Sequence, residues 1–149
     1  MGVTTSEAIA AVRARLDAGG FSFPLYYDGD DAPILPDTPA IFGYVEFRNQ
    51  GSVVAAYGGG RGANVYRNSA LVYVFVFSPI GSGLETATAT AEPVAAQLRS
   101  WRDDVISCFN SDVVDLITGS QMTVPGLRNE VNNYMCAIVE CSLIYDQIG

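Results

Sequence analysis

The apolar positions along this chain change period several times, and each change predicts an element. Ile9, Val12 and Leu16 recur at helical spacing among Ala8, Ala10, Ala11 and Ala14, which are good helix formers. Thr4 with Glu7 three residues on makes a capping-box pattern, and Gly19-Gly20 is a left-handed stop. The outer face of this first helix carries Arg13, Arg15 and Asp17. A short apolar run, Phe21 to Tyr27, follows. From Ala40 to Arg48 the period falls to two: Ile41, Gly43, Val45 and Phe47 share one face, and Phe42, Tyr44 and Glu46 the other. A further apolar stretch runs from Val53 to Tyr57. Val65 to Phe77 is the strongest strand, with Leu71, Tyr73, Phe75 and Phe77 opposite Val72, Val74 and Val76. Its second half is apolar on both faces, which predicts a central strand covered on both sides. Its first half, with Asn64, Arg67, Asn68 and Ser69, is expected to reach solvent or a partner.

Ser78-Pro79-Ile80-Gly81-Ser82-Gly83 breaks that strand, and a second helix is predicted from Leu84. Pro93 either kinks it or restarts it. Val94, Leu98 and Trp101 then continue a helical stripe that Val105 extends, and a stripe of this kind is core packing. Val113 to Ile117 and Gln121 to Val124, around Gly119, predict a strand with a turn, and Pro125-Gly126 is a further turn signal. Tyr134 to Tyr145 predicts the last strand, in which Met135, Ala137, Val139, Cys141 and Leu143 form a wholly apolar face. Strands interrupted by one helix, with another helix leading, give an α+β class: a mixed, mainly antiparallel sheet with two helices packed on one face. The 149 residues suit one domain, spanning 1–149, with no repeat and no linker.

Charge narrows the chemistry. Sixteen acidic residues against eight basic ones give −8, and all eight basic residues are Arg, with no Lys and no His. A chain of this sign does not bind nucleic acid by neutralising phosphates over its surface. Lack of His removes the usual general base near neutral pH and the commonest metal ligand. No stretch reaches the roughly 18–20 apolar residues of a membrane span. Met1 to Leu16 lacks the basic start and apolar run of a signal peptide. Cys108, Cys136 and Cys141 are odd in number, with no C-x-x-C pair. They read as buried free thiols, Cys136 and Cys141 on opposite faces of their strand. No cofactor and no metal is expected.

Two loops stand out. Asp28 to Pro39 holds four Asp and three Pro. It reads as a turn-rich connection, or as an acidic contact or cation loop, without the regular spacing and closing Glu of an EF-hand. Gly58-Gly59-Gly60-Arg61-Gly62 resembles a phosphate loop only superficially, because the chain has no Lys to complete one. Asp103-Asp104 are adjacent, and neighbouring helical residues do not face each other, so they read as a helix end or turn.

The capped N-terminal helix, the Pro-rich loop, the strand Ile41-Phe42-Gly43-Tyr44-Val45-Glu46-Phe47, and Tyr66-Arg67-Asn68 leading to Phe75-Val76-Phe77-Ser78-Pro79 come in a telling order. With Gly81-Ser82-Gly83 before helix two, Asn133 to Glu140 near the end and the Tyr145-Asp146 close, the chain resembles the tail terminator (tail completion) proteins of long-tailed bacteriophages and gene-transfer particles. That resemblance implies a homohexameric ring at the head-proximal end of the tail tube, and no enzymatic activity. Its partners would be further copies of itself, the tail tube protein and the head-completion protein. Genome DNA would pass through the lumen without specific binding. The chain would be assembled in the host cytoplasm and reside in the tail or neck of the virion, with no membrane partner. An acidic bore repels phosphates, which suits a channel. The expected contact residues are Asp30, Asp31 and Asp37 in the first loop and Tyr57, Gly58, Gly59, Gly60, Arg61 and Arg67 around the second. Arg61 and Arg67 are placed against acidic groups of a neighbour.

Three other readings compete. One is another neck, head-completion or tube subunit, for which the glycine loop is the available arm. A second, of another class, is a small-ligand-binding or enzymatic α+β domain built on Tyr26, Tyr27, Arg99, Arg102 and Asp103. Against it stands the lack of any nucleophile-plus-base pattern. A third is an adaptor that binds a partner along an exposed strand edge.

Overall fold

The computed structural model describes residues 2–31, 38–56, 62–99, 101–103, 106–118 and 134–148. The elements are α1 (Thr5–Asp17), β1 (Leu25–Tyr27), β2 (Phe42–Ala56), β3 (Val65–Pro79), α2 (Leu84–Arg99), β4 (Ile106–Thr118) and β5 (Tyr134–Ile148). The five strands form one sheet in the order β1-β2-β3-β5-β4. Only the β1–β2 pair is parallel. The fold is thus the α+β arrangement that the pattern predicts, with both helices on one face.

β3 is central because its alternation satisfies two faces at once. Val72, Val74 and Val76 join Val45, Ala137, Val139 and Cys141 beneath the helices. The helices answer with small and branched side chains: Ala8, Val12 and Leu16 from α1, and Ala91, Val94, Ala95 and Leu98 from α2. Phe75 and Phe77 face the other way, into a second cluster with Phe42, Tyr44, Tyr134 and Cys136. The second cover expected for β3 is therefore aromatic, not helical. Phe42 and Phe77 stack at 4.7 Å, and the Tyr134 ring stands edge-on to both. From β5 it reaches across β3, and its hydroxyl accepts the Ala40 amide at 3.2 Å.

The helices are tied to the sheet and to each other. The Thr4 and Glu7 capping box is complete. The Val3 amide donates to the Asp146 carbonyl, and the Thr5 and Tyr145 hydroxyls meet at 2.8 Å. The Arg15 Nε donates to the Gln97 carbonyl while the Gln97 side-chain amide donates to the Arg15 carbonyl. Pro93 does not restart α2, which runs through it. Pro93 and Ala89 four residues before it are both exposed. The carbonyl that loses its donor can therefore bond water.

Several expectations need correction. Ile9 lies outside the buried stripe; Ala8, Val12 and Leu16, each four apart, form it. Ala40–Arg48 and Val53–Tyr57 are not two strands: β2 is continuous across a bulge between Asn49 and Gly51. Trp101 is buried but lies past the end of α2, and its amide donates to the Leu98 carbonyl. β4 begins at Ile106, well before the predicted Val113. Bulges between Cys108 and Asn110 and between Val113 and Asp115 shift its alternation twice, so no single period runs through it. Asn68 does not reach solvent. It is 4% exposed, and its Nδ2 has no hydrogen-bond partner among the described residues. Gln121 to Val124, Gly119, Pro125-Gly126, Asp104 and Val105 lie outside the described residues.

Leu16 is fully buried, whereas Ile9 is 45% exposed. Leu16→Ala should cost about 2–5 kcal/mol of unfolding free energy in urea titration. Ile9→Ala should stay within about 0.5 kcal/mol, as substitutions on an exposed face do.

Candidate assembly surface

Two regions carry the described residues among those the sequence singles out: Arg67 on β3, and Asp30 and Asp31 just after β1. The first is the distal half of the β2–β3 hairpin. β1 covers β2 only from Gly43 to Val45. Beyond that, no described strand pairs with the outer edge of β2. Residues 48–56 are exposed except for half-buried Val54, and Val53 is 68% exposed. Here β2 pairs with the polar start of β3, from Asn49↔Ala70 to Ala56↔Val65, and β5 backs that start from Ala70↔Leu143 to Val65↔Ile148. Over its described residues the hairpin is thus a β-ribbon arm. The bulge at Gly51, with φ 109°, is the position that needs glycine, and its amide donates to Asn49 Oδ1.

Arg67 anchors this arm. Its Nε and Nη2 donate to the two Asp146 carboxylate oxygens at 2.9 and 3.0 Å, a fork that a guanidinium matches well. The Arg67 guanidinium beside Asp146 holds that carboxyl below the usual carboxylate range. Within one chain, the acidic partner expected next door is already supplied. On the same helix-free face, Arg48 lies over the Tyr73 ring at 4.9 Å and donates to Glu46 at 2.8 Å. This gives the buried Glu46 carboxylate a counter-charge.

The second region is the corner between α1 and β1. Arg13 stacks on the Tyr27 ring at 4.2 Å and forms an ion pair with Asp30. The Tyr27 hydroxyl donates to Asp17 at 2.7 Å, and the Tyr44 hydroxyl donates to Asp28 at 3.0 Å. Burial, then hydrogen bonding to these carboxylates, pushes both phenols well above their ordinary value. The start of the acidic loop is therefore pinned to the fold, with Asp31 left exposed. A cleft of about 210 Å³ lies between α1 and β2 here, lined by Ile9, Val12, Val45 and Phe47 with Arg13 and Asp28 at its rim. Asp37, Tyr57, Gly58, Gly59, Gly60 and Arg61 lie outside the described residues.

The residues of the competing enzymatic reading are not brought together. Tyr26 and Tyr27 lie on β1, at one edge of the sheet. Arg99, Arg102 and Asp103 lie beside β4, at the other. There Asp103 organises a turn: it accepts from the Ile106 amide at 2.8 Å and from the Trp101 indole. Arg99 Nε donates to the Ser111 carbonyl at 3.0 Å. Among the described residues, no three His, Cys, Asp or Glu side chains are grouped to hold a metal ion, and no helix is long and apolar enough to cross a membrane.

The two sheet edges differ in kind. The start of β4 is covered by residues 101–103, through the Cys108 amide to the Trp101 carbonyl and the Arg102↔Ser107 bridge. Further along, Asp112 and Asp115 each accept the amide of the next residue, Val113 and Leu116. Side chains and bulges thus occupy this edge, a common means of discouraging strand addition. The β2 edge has no such cover among the described residues. The sequence gives no signal for Arg13 or Asp146 as partners, because each lies far along the chain from the residue it binds.

Neither protein-family models nor curated proteins yield a match to this chain.

Asp146 titrates low in the folded chain, so the Arg67 contact stabilises above the ordinary carboxylate range and is lost as Asp146 protonates at lower pH. Arg67→Ala should therefore lower the melting temperature at neutral pH, and the gap to the parent should close in acid. A gap independent of pH would contradict this.

Proposed function

We propose that this chain is a structural subunit of a tailed phage or gene-transfer particle. In this reading it forms a ring at the head-proximal end of the tail tube, ends tube growth and offers its outer face to a head-completion protein. The observation that carries the reading is the exposed β2–β3 arm, whose outer edge no described residue covers, on a sheet whose other edge is occupied. An uncovered edge of this length is a place for a second chain to dock. One open and one blocked edge also make the two sides of a subunit unlike, and head-to-tail contacts between unlike surfaces close into rings when the rotation permits. The order of elements, like that of tail terminators, and the −8 charge add to it. Six copies would line a bore with like charge, along which DNA slides without sticking. A tube or neck subunit would use the same arm, and the order of elements favours the terminator.

Particle assembly occurs in the host cytoplasm in this reading, and the finished chain resides in the virion. Arrest needs no chemistry. The ring adds once to the tube end, and its far face lacks the surface that recruits the next tube subunit.

Native mass spectrometry at rising concentration, with tube ends present, should give a species six times the 15.9 kDa chain. Val53→Glu should leave the melting temperature within about a degree, since exposed substitutions cost little, and should abolish that species. Deleting Gly58 to Gly62 should likewise spare folding and prevent capping. Infectious particles of normal tail length from the deletion would refute the assigned role of the arm.

A further inference from the structure

Cys108 and Cys141 were expected as two unrelated buried thiols, but the fold sets them side by side. β4 and β5 run antiparallel with Cys108↔Leu143 and Ser111↔Cys141 in register, separated by the bulge at Phe109. Both side chains lie on the helix-covered face, and their sulfurs stand 2.8 Å apart. A disulfide bond measures roughly 2.05 Å, so closure needs a movement of less than an ångström. The two thiols are not equivalent. Cys141 is fully buried, while Cys108 is half-buried and open to a small reagent. Cys136 is also buried, but it lies on the opposite face, within the aromatic cluster.

We propose that Cys108 and Cys141 are a redox-active pair that forms a cross-strand disulfide when the chain meets hydrogen peroxide. The hydrogen-bonding contact with Cys141, then the Asn110 backbone and the Arg99 charge, lower the Cys108 thiol from its ordinary value against the opposing effect of burial. The same hydrogen bond, with burial, pushes the Cys141 thiol up. Cys108, the more exposed of the two, is the member that meets the peroxide, once deprotonated, and Cys141 lies buried beside it to resolve the sulfenic acid. The Cys108 thiolate attacks one peroxide oxygen, the O–O bond breaks, and hydroxide leaves a sulfenic acid behind. Cys141 then attacks the Cys108 sulfur. The S–O bond breaks, the Cys141 proton goes to the departing oxygen, and water leaves. Two thiols and one peroxide become one disulfide and two waters, the sulfurs losing two electrons that the peroxide gains. The bond ties β4, the edge strand, to β5 and is reversed by thiol reductants. The inference rests on the sheet register, the sulfur separation and the unequal burial of the two thiols, and stands apart from the assembly role.

The test is stoichiometric peroxide on the folded full-length chain, followed by alkylation in denaturant and peptide mass mapping. The expected result is a monomer that has lost two hydrogens, with the Cys108 and Cys141 peptides linked and Cys136 alkylated. Dithiothreitol should restore three alkylatable thiols. Cys136→Ser should oxidise in the same way. Cys108→Ser, altered at the half-buried member of the pair, should keep both remaining thiols. Three free thiols after treatment, a link through Cys136, a disulfide between two chains, or Cys108 carried to sulfinic acid with Cys141 free would each overturn the proposal.

Discussion

The pairing of β3 with β5 is the constraint on which the rest depends. It runs from Val65↔Ile148 to Pro79↔Tyr134 without a register shift, whereas β2 and β4 each carry two bulges where they join it. A slip of one residue would exchange the faces. Phe75 and Phe77 would then meet α1 and α2, whose buried positions are alanine, valine and leucine. The valines of β3 would turn to the side where Phe42 and Tyr134 now stack. Small residues let the helices lie close on one face, and ring stacking fills the other. Each side chain set fits only the register observed.

A rigid centre with irregular margins has consequences for association. The bulges fall where β-bulges are usually found, toward the edges. On β4 they accompany aspartates that take up the strand's own amides, and the turn at 101–103 covers its start. On β2 the bulge at Gly51 continues the strand into an exposed ribbon, held to β5 by Arg67 and Asp146. Among the described residues, one edge is therefore occupied by the chain's own groups and the other is left uncovered. A role based on shape uses that difference directly, which is why we favour a subunit that docks once and in one direction.

Much of this was legible in the sequence, for identifiable reasons. β3 and β5 alternate without interruption, and α1 announces itself through Thr4 and Glu7, so local signals agreed with the tertiary outcome. β4 was only half legible, because each bulge moves the inward positions by one: Ile106 and Cys108, then Ser111 and Val113, then Leu116. β1 is too short to show a period and exists because Leu25 to Tyr27 can pair with β2. Ile9 and Ala8 exchange roles since burial of an alanine gives no hydrophobic signal. The candidate surface was harder still. Asp30 and Arg67 stand out in the sequence as candidate contact residues and are exposed, but their partners within the chain, Arg13 and Asp146, are set by the fold. The contact between Cys108 and Cys141 depends on a bulge that no sequence spacing reveals.

In the function we propose, this chain acts by seating a closed ring on the end of a tail tube. The most direct measurement is the length of tubes grown from the cognate tube protein, imaged by electron microscopy, with purified chain added during growth. Elongation should stop, with the added chain found at one end of each tube. Tubes that keep lengthening, with the chain absent from their ends, would contradict it.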